Sequence, residues 1–210
     1  MSVSVISPES PLFLASSSPR RKTLLRQIGL PFRSFSSAVE ENFSEGDPEH
    51  SVCVLAEKKA SRVFNRSKGN WVLGADTVVV LEDAVLGKPE SGEEASSMLL
   101  RLSGKEHRVI TGFCLIDPSG RSAHTQAVVT RVTMKEITEE EVRRYVASGE
   151  PYGKAGSYAV QGLGAFMVES ISGSYTNVVG LPLCAVVKAL LVTGALKAFP
   201  LDAGAPFRQG

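Results

Sequence analysis

Two arginines open a helix at the end where helix electrostatics disfavours cations. The stretch Leu14-Ala15-Ser16-Ser17-Ser18-Pro19-Arg20-Arg21 follows an apolar, strand-like run, Pro11-Leu12-Phe13-Leu14. It leads into a segment with Leu24, Leu25 and Ile28 on one face and Gly29 as a stop. Ser18 suits an N-cap, and Pro19 suits the first helical position because the N–H it lacks would have had no partner there. The helix dipole is positive at this end, so a sequence built only for helix stability would carry Asp or Glu. Backbone N–H groups, serine hydroxyls and two guanidinium forks together suit an anion, phosphate above all. A solvated basic turn is the plainer reading.

The rest of the composition narrows the partners. At 210 residues the chain has room for one domain, or one two-lobed domain, with a substantial core. The apolar content of 43% and charged content of 21% are ordinary for a globular protein. A net charge of +1 argues against a dedicated nucleic-acid or membrane-surface protein, so local clusters must carry any anion binding. Cys53, Cys114 and Cys184 are far apart and odd in number, which supports neither a disulfide framework nor a zinc site. Leu181–Leu196 is interrupted by Pro182, Lys188 and Gly194 and does not suit a membrane span. With no basic, apolar leader at the N-terminus, a cytoplasmic protein is expected.

The pattern along the chain predicts strand, helix, strand over residues 11–36, then an acidic loop from Glu40 to Pro48. Helical spacing over 51–64 follows, then a strand-rich run from Trp71 to Leu81 and a turn into Val85-Leu86. Ser91-Gly92-Glu93-Glu94 and Thr138-Glu139-Glu140-Glu141 are capping-box signatures for helices stopped by Gly104 and Gly149. Between them lie two strands, His107–Ile116 and His124–Met134, joined at Asp117-Pro118-Ser119-Gly120. A glycine-punctuated loop from Gly153 to Gly164 leads to a strand at Phe166–Ile171, and a last helix runs from Pro182 to Leu196. The tail over 199–210 is expected to fray. Hairpins mixed with helices imply an α/β or α+β fold around a mixed sheet.

Two residues break their local pattern. Val52, Leu55, Ala56, Ala60 and Val63 define the apolar stripe of the 51–64 helix, and Lys59 falls near its middle. Desolvating an ammonium costs several kcal/mol, so either its stem snorkels to solvent or its head enters a cleft and meets an anion. Asp76 sits among apolar neighbours in the strand Trp71–Val80, where an unpaired carboxylate would be driven toward protonation. A carboxylate facing a cleft, holding Mg²⁺ or orienting water, accounts for it; a local backbone bond in a bulge is the alternative. Gly74 and Ala75 beside it would leave room for a substrate. Glu40 and Glu41 could complete a metal centre beside a phosphate site, although most acidic loops are merely solvated. Lys88, in Gly87-Lys88-Pro89, resembles a fixed loop cation, with a solvated lysine as the default. Gln161 could offer an amide to a base edge from a flexible lip. His50, His107 and His124 have no metal spacing and are expected to be structural or surface residues.

These blocks together resemble the Maf family of nucleoside triphosphate pyrophosphatases. The likeness spans residues 11–190 through LASSSPRR (14–21), EEN (40–42), LAEKKA (55–60), LGADTVV (73–79) and LGKP (86–89). It continues through LRLSGKEHRVITG (100–112), GEPYGKAGSYAVQGLGAF (149–166) and GSYTNVVGLPL (173–183). The resemblance implies one domain over 1–198, a two-lobed α/β fold around a long mixed sheet, and a cleft like that of inosine triphosphate pyrophosphatase. It implies cleavage of a nucleoside triphosphate to monophosphate and pyrophosphate with a divalent cation, Mg²⁺ or Mn²⁺. By position, Ser16, Arg20, Arg21, Lys88 and Thr77 are implied to bind substrate and Asp76 and Lys59 to be catalytic. Glu41, with Asp76, is implied as metal ligand, with Glu40 one register away. The Gln161 block resembles the branch acting on dTTP and UTP. A homodimer, a cytoplasmic setting and a link to septum formation are implied too, with neither nucleic acid nor membrane as partner. On this reading Lys59→Ala weakens substrate use sharply even if its new methyl slightly stabilises the helix.

Overall fold

A computed structural model describes residues 5–37, 39, 46–67 and 69–201. Glu40 and Glu41, and the tail beyond residue 201, lie outside the described residues. The chain begins as its patterning requires: β1 (Leu12–Ala15), α1 (Pro19–Gln27), β2 (Phe32–Ser34). Then come α2 (Pro48–Phe64), β3 (Val72–Leu81), β4 (Ala84–Leu86), α3 (Gly92–Leu102), β5 (Glu106–Ile116), β6 (Ser122–Met134) and α4 (Glu139–Ala147). Short 3₁₀ turns at Ala155–Ser157 and Leu163–Met167 precede β7 (Val168–Ser172), α5 (Tyr175–Val179) and α6 (Leu183–Val192).

The strands form one seven-stranded mixed sheet in the order β2-β1-β3-β5-β6-β7, with β4 paired to β3. β1 runs parallel to β2 and β3, whereas β3, β5, β6 and β7 are antiparallel neighbours. Side-chain alternation sorts the core by face. Phe13, Ala15, Val72, Cys114 and Ile116 pack with Ala56, Ala60 and Val63 of α2; Val78, Val80 and Ile110 pack with Val52 of the same helix. Leu12, Leu14, Leu73, Ala75, Phe113 and Leu115 face the other way, toward Leu24 and Leu25 of α1 and Val186 and Leu190 of α6. Farther along that second face, Val79, Val109 and Val132 meet Leu99 and Leu102 of α3 and Val142 and Tyr145 of α4. No helix among the described residues is long and apolar enough to cross a membrane.

The helix ends show where local rules held and where a competitor won. Thr138 forms a full capping box with Glu141. Ser91 accepts the Glu94 N–H, but the Glu94 carboxylate turns back to the N–H of Glu90 rather than Ser91, which leaves half a box. Pro48 is not loop: Asp47 caps α2 by accepting the Glu49 N–H at 2.9 Å, and Pro48 starts the helix. Phe166 belongs to a 3₁₀ turn, so β7 starts two residues later than its patterning suggests. The last helix is shorter than expected, because Pro182 delays its start and Thr193 caps it through the Ala189 carbonyl.

Candidate active site

The sheet has a gap. On one edge of β3, β1 pairs with Val72–Gly74 and β4 pairs with Val79–Leu81. Residues 75–78 between them have no strand partner on that side among the described residues. A cleft of about 410 Å³ opens there. Ser16, Arg20, Arg21, Lys59, Asp76, Thr77, Lys88 and Gln161 all line it, so the sequence candidates within the described residues converge on one place.

The two misfits of the sequence meet each other. Lys59 Nζ donates to Asp76 Oδ1 at 2.5 Å, and both side chains are about 95% buried, with 6% and 5% exposure. The lysine head therefore enters the cleft and meets an anion, but that anion is a carboxylate of the chain itself. Glycines set the approach. A Cβ on Gly74 would lie 2.0 Å from the Ala56 carbonyl oxygen, and one on Gly112 would lie 2.5 Å from the Val52 carbonyl. Gly112 is the β5 partner of Asp76. The space beside Asp76 thus admits the α2 backbone, not the substrate for which Gly74 was expected to leave room. Only with α2 this close does Lys59 reach the carboxylate.

Arg21 behaves as a brace. Its Nε donates to the Gly180 carbonyl at 2.7 Å, and Nη1 to the Ala75 carbonyl at 2.9 Å and Ser16 Oγ at 3.2 Å. Nη2 donates to Thr77 Oγ1 at 2.9 Å. The Ala75 carbonyl lies on the strand segment that the gap leaves without a ladder, so the guanidinium stands in for a strand there. Its planar fork can serve divergent acceptors in this way, which lysine cannot. Arg20 Nε donates to the Val179 carbonyl at 3.3 Å; burial lowers its pKa, opposed by the nearby Tyr145. The Ser18 hydroxyl makes no cap bond, contrary to expectation; the Ser18 N–H instead donates to Ser16 Oγ at 3.2 Å.

Three features were not anticipated. Short helix α5 carries Asn177, fully buried, whose Nδ2 donates to the Val109 carbonyl at 3.0 Å and to Thr130 Oγ1 at 2.9 Å. That anchorage sets Val179 and Gly180 where Arg20 and Arg21 find their carbonyls. Lys154 also lines the cleft. Burial lowers its pKa, the Arg20 charge lowers it further, and Glu150 pulls the other way. Finally, the Gly156 N–H donates to the Gly87 carbonyl at 3.0 Å, tying the lip to the turn that presents exposed Lys88.

Tyr158 closes one wall of the cleft, and its hydroxyl shares a 2.7 Å hydrogen bond with His107 Nε2. His107 is 2% exposed, and burial holds its pKa down to about 4 from an ordinary 6.5. Below 6.5 the unfolded chain takes a proton that the fold refuses until about 4, so stability present at neutral pH is lost as pH falls through that window. The full loss is about 3 kcal/mol. Urea midpoints compared at neutral and mildly acidic pH should show it, and His107→Gln should flatten that dependence. An unchanged slope in the variant would assign acid sensitivity elsewhere.

One buried carboxylate beside a buried ammonium, ringed by four further cations, suits a polyanionic substrate whose reaction needs a base. A family model described as "Maf-like protein" matches residues 11–192. A dTTP/UTP pyrophosphatase from Syntrophotalea carbinolica is 46% identical over 197 residues, covering 92% of this chain and 90% of that protein. The dTTP/UTP pyrophosphatase of Ruminiclostridium cellulolyticum is 50% identical over 174 residues, with 82% and 90% covered. That of Geotalea uraniireducens is 47% identical over 190 residues, with 90% and 98% covered. A solved nucleoside-triphosphatase, the dITP/XTP pyrophosphatase of Mycobacterium abscessus, aligns at 15% identity and a TM-score of 0.41 over 89% of this chain and 97% of its own, too distant a likeness to argue from. Matched by the model along most of its length and by relatives near half identity, the chain belongs to the Maf-like protein family.

Proposed function

We propose that the protein is a nucleoside triphosphate pyrophosphatase that converts dTTP and UTP to the monophosphate and pyrophosphate. The observation that carries this is Asp76, the one carboxylate among the described lining residues, set against Lys59 in a cleft of cations. The names of relatives at 46–50% identity support the pyrimidine substrates.

The chain's own residues divide the work by position. Arg20, Lys88 and Lys154 meet the phosphates, and Arg21 adds charge while bracing Ser16 and Thr77. Lys59 orients Asp76 through their buried ion pair. Asp76 takes a proton from water attacking the α-phosphorus as the α–β anhydride breaks, and pyrophosphate leaves with the electron pair. Gln161 on the lip presents its amide to the base.

Asp76, the one carboxylate among the described lining residues, fits a hard divalent cation held largely by substrate phosphates, as Mg²⁺ commonly is. Asp76 would hold it, with Glu41 as the second carboxylate. When bound, it would supply charge neutralisation on the phosphoryl oxygens. A homodimer and a cytoplasmic setting belong to the same reading, on the family resemblance alone.

The test is hydrolysis of dTTP, UTP, CTP, GTP and 7-methyl-GTP with Mg²⁺ or Mn²⁺, with pyrophosphate and orthophosphate detected separately. Pyrophosphate from dTTP and UTP is expected. Activity confined to 7-methyl-GTP would overturn the pyrimidine assignment, and tight binding without turnover would overturn the enzyme reading.

A further inference from the structure

Behind the cleft lip lies a polar cluster for which the reaction has no use. The Glu150 carboxylate accepts the Leu163 N–H at 2.8 Å, the Gly164 N–H at 3.0 Å and the Tyr145 hydroxyl at 3.0 Å. The Ala159 N–H donates to that same hydroxyl at 3.3 Å. One carboxylate and one phenol thus grip the backbone on both sides of Gln161. The loop is cut to fit them. A Cβ on Gly162 would lie 2.7 Å from Glu150 Oε2, and one on Gly164 would lie 2.7 Å from Tyr145 Oη. Gly162, at φ +100°, also needs the backbone freedom of glycine. Burial works to raise the Glu150 carboxyl, yet the N–H groups of Gly164 and Leu163 and the Tyr145 hydroxyl bring it below the usual range, so it grips as an anion.

We propose that Glu150, together with Tyr145, is a positioning residue for base selection, holding the 159–164 backbone so that Gln161 addresses the nucleobase. This rests on the reading of Gln161 as the base-facing side chain. Neither residue lines the cleft, so they reach the base through the loop backbone, while the Glu150 charge also acts on Lys154 among the phosphate-binding cations. The Glu150 main-chain carbonyl accepts from Lys154 Nζ. That contact survives side-chain substitution, and loss of the Glu150 charge from beside Lys154 bears on phosphates that dTTP and GTP share, so the ratio between the two nucleotides isolates base selection.

The experiment measures kcat and KM for dTTP and GTP, with thermal melts, in Glu150→Ala, Glu150→Gln, Gln161→Ala and the Glu150→Ala/Gln161→Ala double variant. Glu150→Ala should cut the preference for dTTP over GTP by on the order of tenfold, mostly through KM for dTTP. Glu150→Gln, which keeps one acceptor oxygen, should recover part of it. In the Gln161→Ala background, loss of Glu150 should change the preference no further. Equal losses on both nucleotides with the preference kept, or fully additive losses, would overturn the proposal. If Gln161→Ala lowers the preference and Glu150→Ala does not, the clamp falls and the base reading stands. If only Glu150→Ala lowers it, the base reading falls and the clamp acts through the loop backbone. Should Glu150→Ala not fold, Tyr145→Phe carries the same test with a smaller shift.

Discussion

Asp76→Asn should lower dTTP turnover by about a thousandfold while the protein still folds. The substitution keeps volume and shape, so α2 stays seated on β3 across Gly74 and Gly112. The amide oxygen can still accept from Lys59 Nζ, now 2.5 Å from the carboxylate. What is lost is the charge and the ability to take a proton from water, and no other described lining residue is a carboxylate that could replace it. Stability should fall by about 1–3 kcal/mol, because a charge-assisted bond becomes a neutral one beside a buried ammonium. Saturating turnover with a cooperative circular-dichroism melt is the measurement. A folded variant with wild-type turnover would remove Asp76 from the chemistry.

Removing the other partner should do more damage to the fold. Lys59→Met takes away the ammonium and leaves a carboxylate that is 5% exposed in contact with apolar replacement atoms. Breaking a buried pair from one side costs about 3–5 kcal/mol, since the remaining charge has lost its counter-ion and regains little water. The cleft lets some water return, so the lower figure is expected here. Any gain from an added methyl on the apolar stripe of α2, allowed for Lys59→Ala on the sequence alone, is outweighed on this account. The apolar stripe of α2 alone does not register the carboxylate that Lys59 meets. Lys59→Met combined with Asp76→Asn should regain much of the lost stability, since neither charge remains, and should stay inactive. Chemical denaturation of the two single variants and the double gives the coupling directly. Losses that merely add would mean that the two side chains do not depend on each other.

The legibility of this molecule tracks the range of the forces involved. Pro19, Thr138 and Glu141, and the apolar stripe of α3 act over one or two turns, and α1, α3 and α4 are where the spacing puts them, whereas α2 starts three residues early because Asp47 caps it. Lys59 and Asp76 each stood out as a charge in the wrong company. That they answer each other was not legible, because the contact joins a helix to a strand 17 residues away. Its enabling glycines act on a neighbour's backbone rather than their own. Helix α5 is five residues long, too short for any 3.6-residue period, so the anchorage by Asn177 left no pattern. Lys154 sits in a loop, where a cleft lysine and a solvated one look alike in sequence.

The break in the sheet has a consequence for solubility. A β3 segment with no strand on one side among the described residues is an edge in the middle of a sheet, the sort of surface on which another chain can add itself. Here the unpaired edge is confined to 75–78, with β1 and β4 standing as bookends, so an intruding strand would find room for very few ladder bonds. Arg21 already occupies the Ala75 carbonyl, and the surrounding cations repel a second copy of the same opening. The protein can therefore keep an unzipped strand at its centre without offering it as a template for aggregation.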